Sequence, residues 1–204
     1  MFVTLNACEE DTVARIPLAT RDSVPADQQA TFDALVQQRG SVPSTGPFSV
    51  MIHVPELLQR GEHLRAYVRG DASSLSLKIR ELAMILTARE LDCQFIWNAH
   101  ATLARQAGVR DDLVDCLRDK KELTGLAPEE AAVVNYGREF FRTHQVSQTT
   151  FEAARAQFGV RSLIELTNLM GYYALLAFNI NAFGVDLPTE ISEAPLPIEV
   201  RGGR

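Results

Sequence analysis

The chain has 204 residues, of which 46% are hydrophobic, 7% aromatic and 23% charged, and its formal net charge is −6. These values are typical of one compact domain with a sizeable core, and an acidic balance without a basic stripe argues against a nucleic-acid partner. No basic leader precedes an apolar segment near the start, and no apolar run reaches the ~18 residues that span a bilayer, so we expect a cytoplasmic protein that binds no membrane.

Helices are predicted along most of the chain, because leucine and alanine dominate the apolar residues and no run alternates as a strand does. Helix starts are marked by serine, aspartate or proline, and helix ends by glycine. The predicted helices cover residues 26–38, 55–68, 75–91, 93–107, 111–118, 128–143, 147–159 and 161–183. We therefore predict an all-α bundle of about seven or eight helices over residues 26–187, with an N-terminal arm at 1–25 and a proline-rich tail at 188–204.

The junction between the two central helices is the most informative segment. Ser74 is the expected N-cap of the helix over 75–91, and Asp92 is the expected N-cap of the next helix. A cap at Asp92 places Cys93 in the first turn, where unpaired amides and the helix dipole favour a thiolate. His100 follows two turns later, so both side chains share a face within about 20° but lie ~10 Å apart along the axis. We expect a substrate or water between them.

Two segments then carry a recognisable pattern. The first comprises Arg80-Glu81-Leu82, Trp97-Asn98-Ala99-His100 and Gly108-Val109, and the second comprises Gly171-Tyr172-Tyr173, Asn181-Ala182 and Pro188. Together they resemble the carboxymuconolactone decarboxylase and alkylhydroperoxidase D-like (AhpD-like) family, over about residues 45–190. The resemblance implies an AhpD-like helical bundle with a site at Glu81, Cys93 and His100.

Position 96 departs from the family pattern. Redox-active members resemble Cys-x-x-Cys-x-x-x-His, in which two thiols cycle through a disulfide while Glu and His relay protons. Here Cys93 and His100 stand at the first-cysteine and histidine positions, but Ile96 replaces the second cysteine, and Cys8 and Cys116 are distant in sequence. Without a thiol at 96 the intramolecular relay cannot operate. Decarboxylase-like relatives often carry Glu before the Trp, and Ile96 replaces that acid too.

The resemblance leaves three functions open. The first is a cofactor-independent lyase or isomerase acting on a small carboxylated lactone or related ring acid, with His100 as proton donor and Glu81 orienting it. The second is a thiol-dependent peroxidase, in which Cys93 becomes a sulfenic acid and an external reductant restores it. The third is a binding protein that keeps the fold without the chemistry.

The remaining expectations concern the substrate, cofactors and partners. A cationic group is needed for the substrate carboxylate, and Arg80 and Arg105 are the candidates. Trp97 and Tyr172 are candidate substrate contacts, with core packing as the alternative interpretation. No metal-ligand spacing or glycine-rich phosphate loop is present, so we expect no cofactor. Relatives assemble as trimers or hexamers, so the resemblance implies a homo-oligomer that acts on a small molecule, as in aromatic compound degradation.

Overall fold

The structure is a computed structural model that describes residues 12, 13, 15–188 and 191–198. Within those residues it contains eight α-helices, two 3-10 turns (Arg21–Ser23 and Ala26–Gln28) and one short hairpin of β1 (Thr12–Val13) and β2 (Ile16–Pro17). The helices are α1 (Gln29–Arg39), α2 (Gly46–Met51), α3 (Pro55–Arg69), α4 (Leu77–Glu90), α5 (Gln94–Gln106), α6 (Asp111–Arg118), α7 (Pro128–Thr143) and α8 (Gln148–Phe183). The predicted all-α bundle is confirmed.

The centre of the bundle is α4, which packs against α5, α7 and α8. Leu82, Ile85 and Leu86 on this helix have 0% exposed surface, and full burial of such side chains contributes about 1.5–3 kcal/mol each. Helix α7 approaches α4 closely at Gly137, where a Cβ atom would lie 2.7 Å from Leu86 Cδ2. A glycine at this position therefore permits the contact between the two helices.

Helix α8 changes direction at Gly159, whose backbone angles are φ 72° and ψ 173°. Glycine adopts positive φ without the steric cost that a Cβ imposes, so the two helices predicted over 147–159 and 161–183 meet there. By length and composition α8 could cross a membrane, but 56% of its most apolar window is buried within the described fold. Its second half packs as a core helix and carries Tyr172 and Tyr173.

Two local details differ from the sequence prediction. The N-cap of α4 is Ser76, whose Oγ accepts a hydrogen bond from the Ile79 amide at 3.3 Å. Ser74, the expected cap, instead donates from its amide (2.7 Å) and its hydroxyl (2.8 Å) to the buried carboxylate of Glu165 on α8. A short helix, α2, was not predicted, and it begins at Gly46 with proline in its first turn.

Both ends of the described chain pack on the bundle. The Arg15 amide donates to the Phe183 carbonyl at 3.2 Å, which joins the N-terminal hairpin to the end of α8. Residues 191–198, which we name the C-terminal strap, lie along α5 and bury Leu196 there. The strap is held by hydrogen bonds from Ser192 N to Asn98 Oδ1 (3.2 Å) and from Leu196 N to Gln94 Oε1 (2.6 Å). The remainder of the predicted arm and tail, with Cys8, lies outside the described residues.

Candidate active site

A buried carboxylate–imidazole pair connects α4 to α5. These helices are joined by the three residues 91–93 and pack side by side, which brings Glu81 opposite His100. The His100 Nδ1 atom lies 2.8 Å from Glu81 Oε2, and the two residues are 7% and 3% exposed. Because a carboxylate accepts hydrogen bonds, this contact assigns the proton to Nδ1 and leaves Nε2 as the nitrogen that gains or loses a proton.

A tyrosine from a third helix completes the arrangement. The Tyr173 hydroxyl on α8 lies 3.2 Å from His100 Nε2, and the two rings meet edge to face with centroids 5.1 Å apart. Burial raises the pKa of Tyr173, so its side chain stays a neutral phenol that donates to Nε2. Glu81, His100 and Tyr173 therefore form a continuous chain of hydrogen bonds that can store and transfer one proton.

Cys93 lies in different surroundings at the start of α5. It is the N-cap of the helix, a position predicted for Asp92, and it is 0% exposed. Burial raises the pKa of the Cys93 thiol to about 11, against the opposing effect of the Ile96 and Phe95 amides. The thiolate expected from the sequence is therefore disfavoured, because desolvation of the charged form outweighs the helix amides.

The displaced Asp92 has its own structural role. It adopts a left-handed backbone conformation (φ 49°) in the turn between α4 and α5, and its carboxylate pairs with the buried guanidinium of Arg89. Ile96, at the position that distinguishes this chain from its family pattern, is 3% exposed and packs in the core. The side-chain hydrogen bonds of His100 described above involve neither Cys93 nor any group at position 96.

The two predicted arginines both have partners within the protein. Arg80 donates from Nη1 to the backbone carbonyls of Arg69 and Gly70, where it completes the end of α3. Arg105 binds the carboxylates of Asp111 (2.9 Å), Asp115 (2.7 Å) and Glu193 (3.1 Å). A role of either guanidinium group as ligand of the substrate carboxylate stays a prediction.

The two predicted aromatic contacts have different surroundings. Trp97 is 1% exposed, and its Nε1 donates to the Ala194 carbonyl of the strap at 3.2 Å, which is core packing rather than a substrate wall. Tyr172 is 3% exposed and lies next to the proton relay, with its ring centroid 5.9 Å from that of Tyr173. Sequence reasoning had not assigned the contact of Tyr173 with His100, although the Gly171-Tyr172-Tyr173 segment is part of the family resemblance.

The described residues contain neither a cluster of metal-ligating side chains nor a disulfide bond. No group of three or more His, Cys, Asp or Glu side chains in that part of the chain could hold a metal ion, and Cys93 and Cys116 are both free thiols. The fold and the site together define an all-α protein with a buried Glu–His–Tyr hydrogen-bond relay between three helices.

Residues 55–139 match the carboxymuconolactone decarboxylase family, and this segment contains Glu81, Cys93 and His100. This part of the chain is therefore similar to that family, and the chain has the AhpD-like fold. Among curated proteins no sequence matches the chain.

Solved structures with the same fold are distant in sequence. A protein of unknown function from Agrobacterium tumefaciens, suggested to be the antioxidant defence protein AhpD, has a TM-score of 0.61 at 18% identity, over 69% of this chain and 96% of its own. An uncharacterised peroxidase-related protein from Ralstonia eutropha JMP134, described as an alkylhydroperoxidase AhpD core, has a TM-score of 0.65 at 15% identity, over 87% of this chain and 94% of its own. An uncharacterised peroxidase-related protein from Silicibacter sp. TM1040 has a TM-score of 0.64 at 18% identity, over 93% of this chain and 97% of its own. These likenesses show the fold.

Proposed function

We propose that the protein is a cofactor-independent carboxy-lyase or isomerase that acts on a small carboxylated lactone or related ring acid, with His100 as the proton donor. The observation that carries this proposal is the relay of Glu81, His100 and Tyr173, in which both ring nitrogens of the histidine have defined partners at 2.8 and 3.2 Å. A general acid needs a fixed orientation and a group that stabilises its protonated form, and the two hydrogen bonds fix the ring while the Glu81 carboxylate favours the imidazolium.

The relay suits the loss of CO2 next to a carbonyl group. The bond between the ring carbon and its carboxylate breaks, and the electron pair moves to the carbonyl oxygen as an enolate. The imidazolium form of His100, with a proton on each nitrogen, then gives its Nε2 proton to the carbon, and the neutral ring takes up a proton from solvent before the next turnover. Glu81 stabilises the imidazolium form at Nδ1, and the Tyr173 hydroxyl is positioned to donate a hydrogen bond to the enolate oxygen. In an isomerase the same groups would move a proton between two carbons.

A thiol peroxidase is the alternative, because structural relatives are described as peroxidase-related and Cys93 stands at the matching motif position. In that reaction a thiolate attacks the peroxide, gives a sulfenic acid and water or an alcohol, and is then reduced by two equivalents of an external thiol. The buried thiol of Cys93, with its pKa raised to about 11, opposes this step. We therefore place it second.

One set of variants distinguishes the two reactions. Wild type, His100→Gln and Cys93→Ser are each incubated with carboxymuconolactone and measured for CO2 release, and separately with cumene hydroperoxide and dithiothreitol. For the lyase, CO2 release is lost in His100→Gln and kept in Cys93→Ser. Peroxide consumption that is lost in Cys93→Ser, with an added oxygen mass on the wild-type peptide of residue 93, would establish the peroxidase instead. Neither activity, with thermal stabilisation by the lactone, would indicate a binding protein.

We also propose that the chain forms a homo-oligomer, a trimer or a hexamer. Large apolar side chains on α8 are exposed, with Val160 at 62%, Ile164 at 57% and Phe178 at 61%. Clustered exposed apolar groups are typical of protein interfaces. Light scattering coupled to size-exclusion chromatography measures the mass directly, and a mass of ~23 kDa, that of one chain of 22.6 kDa, would refute the proposal.

A further inference from the structure

One exposed side of α8 carries no charge. Residues 166–185 contain no Asp, Glu, Lys or Arg, although the side of a helix that meets water is normally polar or charged. Ile164 is 57% exposed, Leu175 39% and Phe178 61%. They belong to a set of exposed residues, which we name the α8 face, whose spacing alternates between four and three: Ile164, Asn168, Gly171, Leu175, Phe178 and Ala182.

The spacing of the α8 face is typical of a contact between two helices. Positions that alternate by four and three residues form one narrow stripe along a helix, and such a stripe packs against a second helix. The opposite side of α8 carries Leu166, Leu169 and Tyr173, which are buried in the core. A helix that is apolar all round is normally buried all round. The described residues bury only one side of this one.

Gly171 lies in the middle of the α8 face, and no contact within the described fold requires a glycine there. A Cβ atom at Gly171 would meet nothing within 4 Å, whereas one at Gly137 would lie 2.7 Å from Leu86 Cδ2. Glycine destabilises a helix interior relative to alanine, because it loses more backbone freedom on folding. A second helix that crosses at Gly171 would explain the residue, since a position without a side chain lets two helix axes approach closely.

The exposed apolar surface extends from the α8 face onto α3. A groove of about 620 Å³ lies between the two helices, and Leu64, Tyr67, Val160 and Ile164 are among its lining residues. Leu64 is 43% exposed, Tyr67 44% and Val160 62%. A large apolar side chain has roughly 200 Å² of surface, so these three and the three large residues of the α8 face expose about 600 Å². Two copies would then bury about 1,200 Å², which reaches the range of stable interfaces.

We propose that a second copy of the chain covers the α8 face, with the two α8 helices packed antiparallel about a two-fold axis at Gly171. A two-fold axis makes a contact self-complementary, so that one surface serves both copies. Ile164 and Phe178 each lie seven residues from Gly171, on opposite sides of it. The axis therefore brings Ile164 level with the partner's Phe178, and an apolar side chain meets an apolar side chain at both ends of the contact.

This inference rests on the proposed homo-oligomer and not on the lyase reaction. A cyclic trimer has no two-fold axis, so of the two proposed sizes only the hexamer can contain the contact. A trimeric wild type would refute the two-fold contact and keep the homo-oligomer, whereas a monomeric wild type would refute both.

The test replaces the two apolar residues that the axis brings together with opposite charges. Ile164→Glu and Phe178→Lys are made separately and together, and Gly171→Leu places a side chain at the crossing point. Leu103→Glu, at a leucine of α5 that is 40% exposed and lies outside the α8 face, is the matched control. Light scattering coupled to size-exclusion chromatography gives the mass of each variant, and circular dichroism checks that it is folded.

Wild type should contain an even number of chains of 22.6 kDa, and its mass should fall about two-fold in each of the three single variants of the α8 face. The double variant Ile164→Glu/Phe178→Lys should recover the wild-type mass, because each glutamate then meets a lysine of the partner. The two positions are ~21 Å apart along one helix, so the charges cannot pair within one chain. Leu103→Glu should keep the wild-type mass.

Three results would overturn the inference. The first is an odd number of chains in wild type, and the second is a mass that the single variants of the α8 face leave unchanged. The third is a double variant that stays dissociated, which would show that Ile164 does not face the partner's Phe178. A monomeric wild type that sediments with vesicles of phosphatidylcholine and phosphatidylglycerol would assign the α8 face to a membrane surface instead.

Discussion

The start and the middle of α5 carry the two motif residues Cys93 and His100 in opposite environments. In the middle of the helix, polar groups from α4 and α8 reach into the core and give the His100 imidazole a partner on each nitrogen. At the start, the Cys93 thiol is 0% exposed among apolar side chains, and its pKa is raised to about 11. One helix thus provides a prepared proton carrier and a neutral thiol seven residues apart.

This difference shows that a motif position does not determine reactivity by itself. Cys93 stands where redox-active relatives have a cysteine and at a helix start, where the dipole favours an anion. Desolvation at that position outweighs the dipole, because a fully buried charge loses its hydration. His100 is equally part of the motif but is supported by two hydrogen bonds from other helices. Four experiments test or sharpen this contrast.

The largest effect is expected from the histidine itself. His100→Gln keeps a polar side chain but removes the group that changes protonation, so kcat/KM on the ring acid should fall about 10²–10⁴-fold. Cys93→Ser, its matched control at the start of α5, should stay within about 3-fold of wild type, because serine is a good N-cap. Comparable losses in the two variants would show that both residues take part in the reaction.

The next effect concerns the thiol. With a pKa raised from 9.0 to about 11, the Cys93 thiolate fraction in the folded protein is ~100-fold lower than in the unfolded chain below pH 9. Iodoacetamide should therefore label Cys93 at least ~100-fold more slowly in buffer than in urea, and faster as the pH rises from 9 to 11. Peptide mass spectrometry locates the adduct. Rapid labelling of the native protein at pH 7 would contradict the buried, neutral thiol.

A smaller effect is expected at the outer nitrogen of the histidine. Tyr173→Phe preserves the ring contact with His100 and deletes only the hydroxyl at Nε2, so kcat should fall roughly 10-fold while KM changes little. Tyr136→Phe, which removes a hydroxyl bonded to Thr167 at 2.9 Å elsewhere on the bundle, is the control for general destabilisation. If both phenylalanine variants lose activity equally, the hydroxyl of Tyr173 has no special role.

The smallest effect is expected at Ile96, which lies between Cys93 and His100 on α5. Ile96 is 3% exposed, and Ile96→Val removes one buried methylene, which should lower the free energy of unfolding by about 0.5–1.5 kcal/mol. Activity should be unchanged, since Ile96 serves packing in this protein. Urea denaturation gives the stability, and the turnover assay gives the activity. A large loss of turnover with unchanged stability would mean that position 96 contacts the substrate.

Local signals in the sequence predicted most of the fold. The bounds of α6 and α7 agree with the prediction because acidic first turns, a leading proline and the following turn residues are all encoded nearby. The cap of α4 was misplaced because Ser74 and Ser76 are locally equivalent, and the choice between them depends on Glu165, which lies on another helix. Helix α2 has only six residues and too little periodicity to stand out.

The candidate site was likewise predicted only in part from the sequence. The family resemblance implied a site with both Glu81 and His100, and the structure brings them within hydrogen-bond distance. Three features depend on which helices pack together: the hydrogen bonds of Arg80 at the end of α3, the contact of Tyr173 with His100, and the raised pKa of Cys93. The residues next to these positions in the sequence do not indicate that packing.

The C-terminal strap covers one face of α5. It is held there by hydrogen bonds and by the ion pair of Glu193 with Arg105, and Leu196 is its only buried apolar anchor among the described residues 191–198. Segments held this way open locally at a lower free energy than the whole domain. Amide hydrogens of the strap should therefore exchange with deuterium long before those of α4. Such local opening would expose the outer face of α5 to solvent while the hydrogen bonds of Glu81, His100 and Tyr173 inside the bundle stay intact.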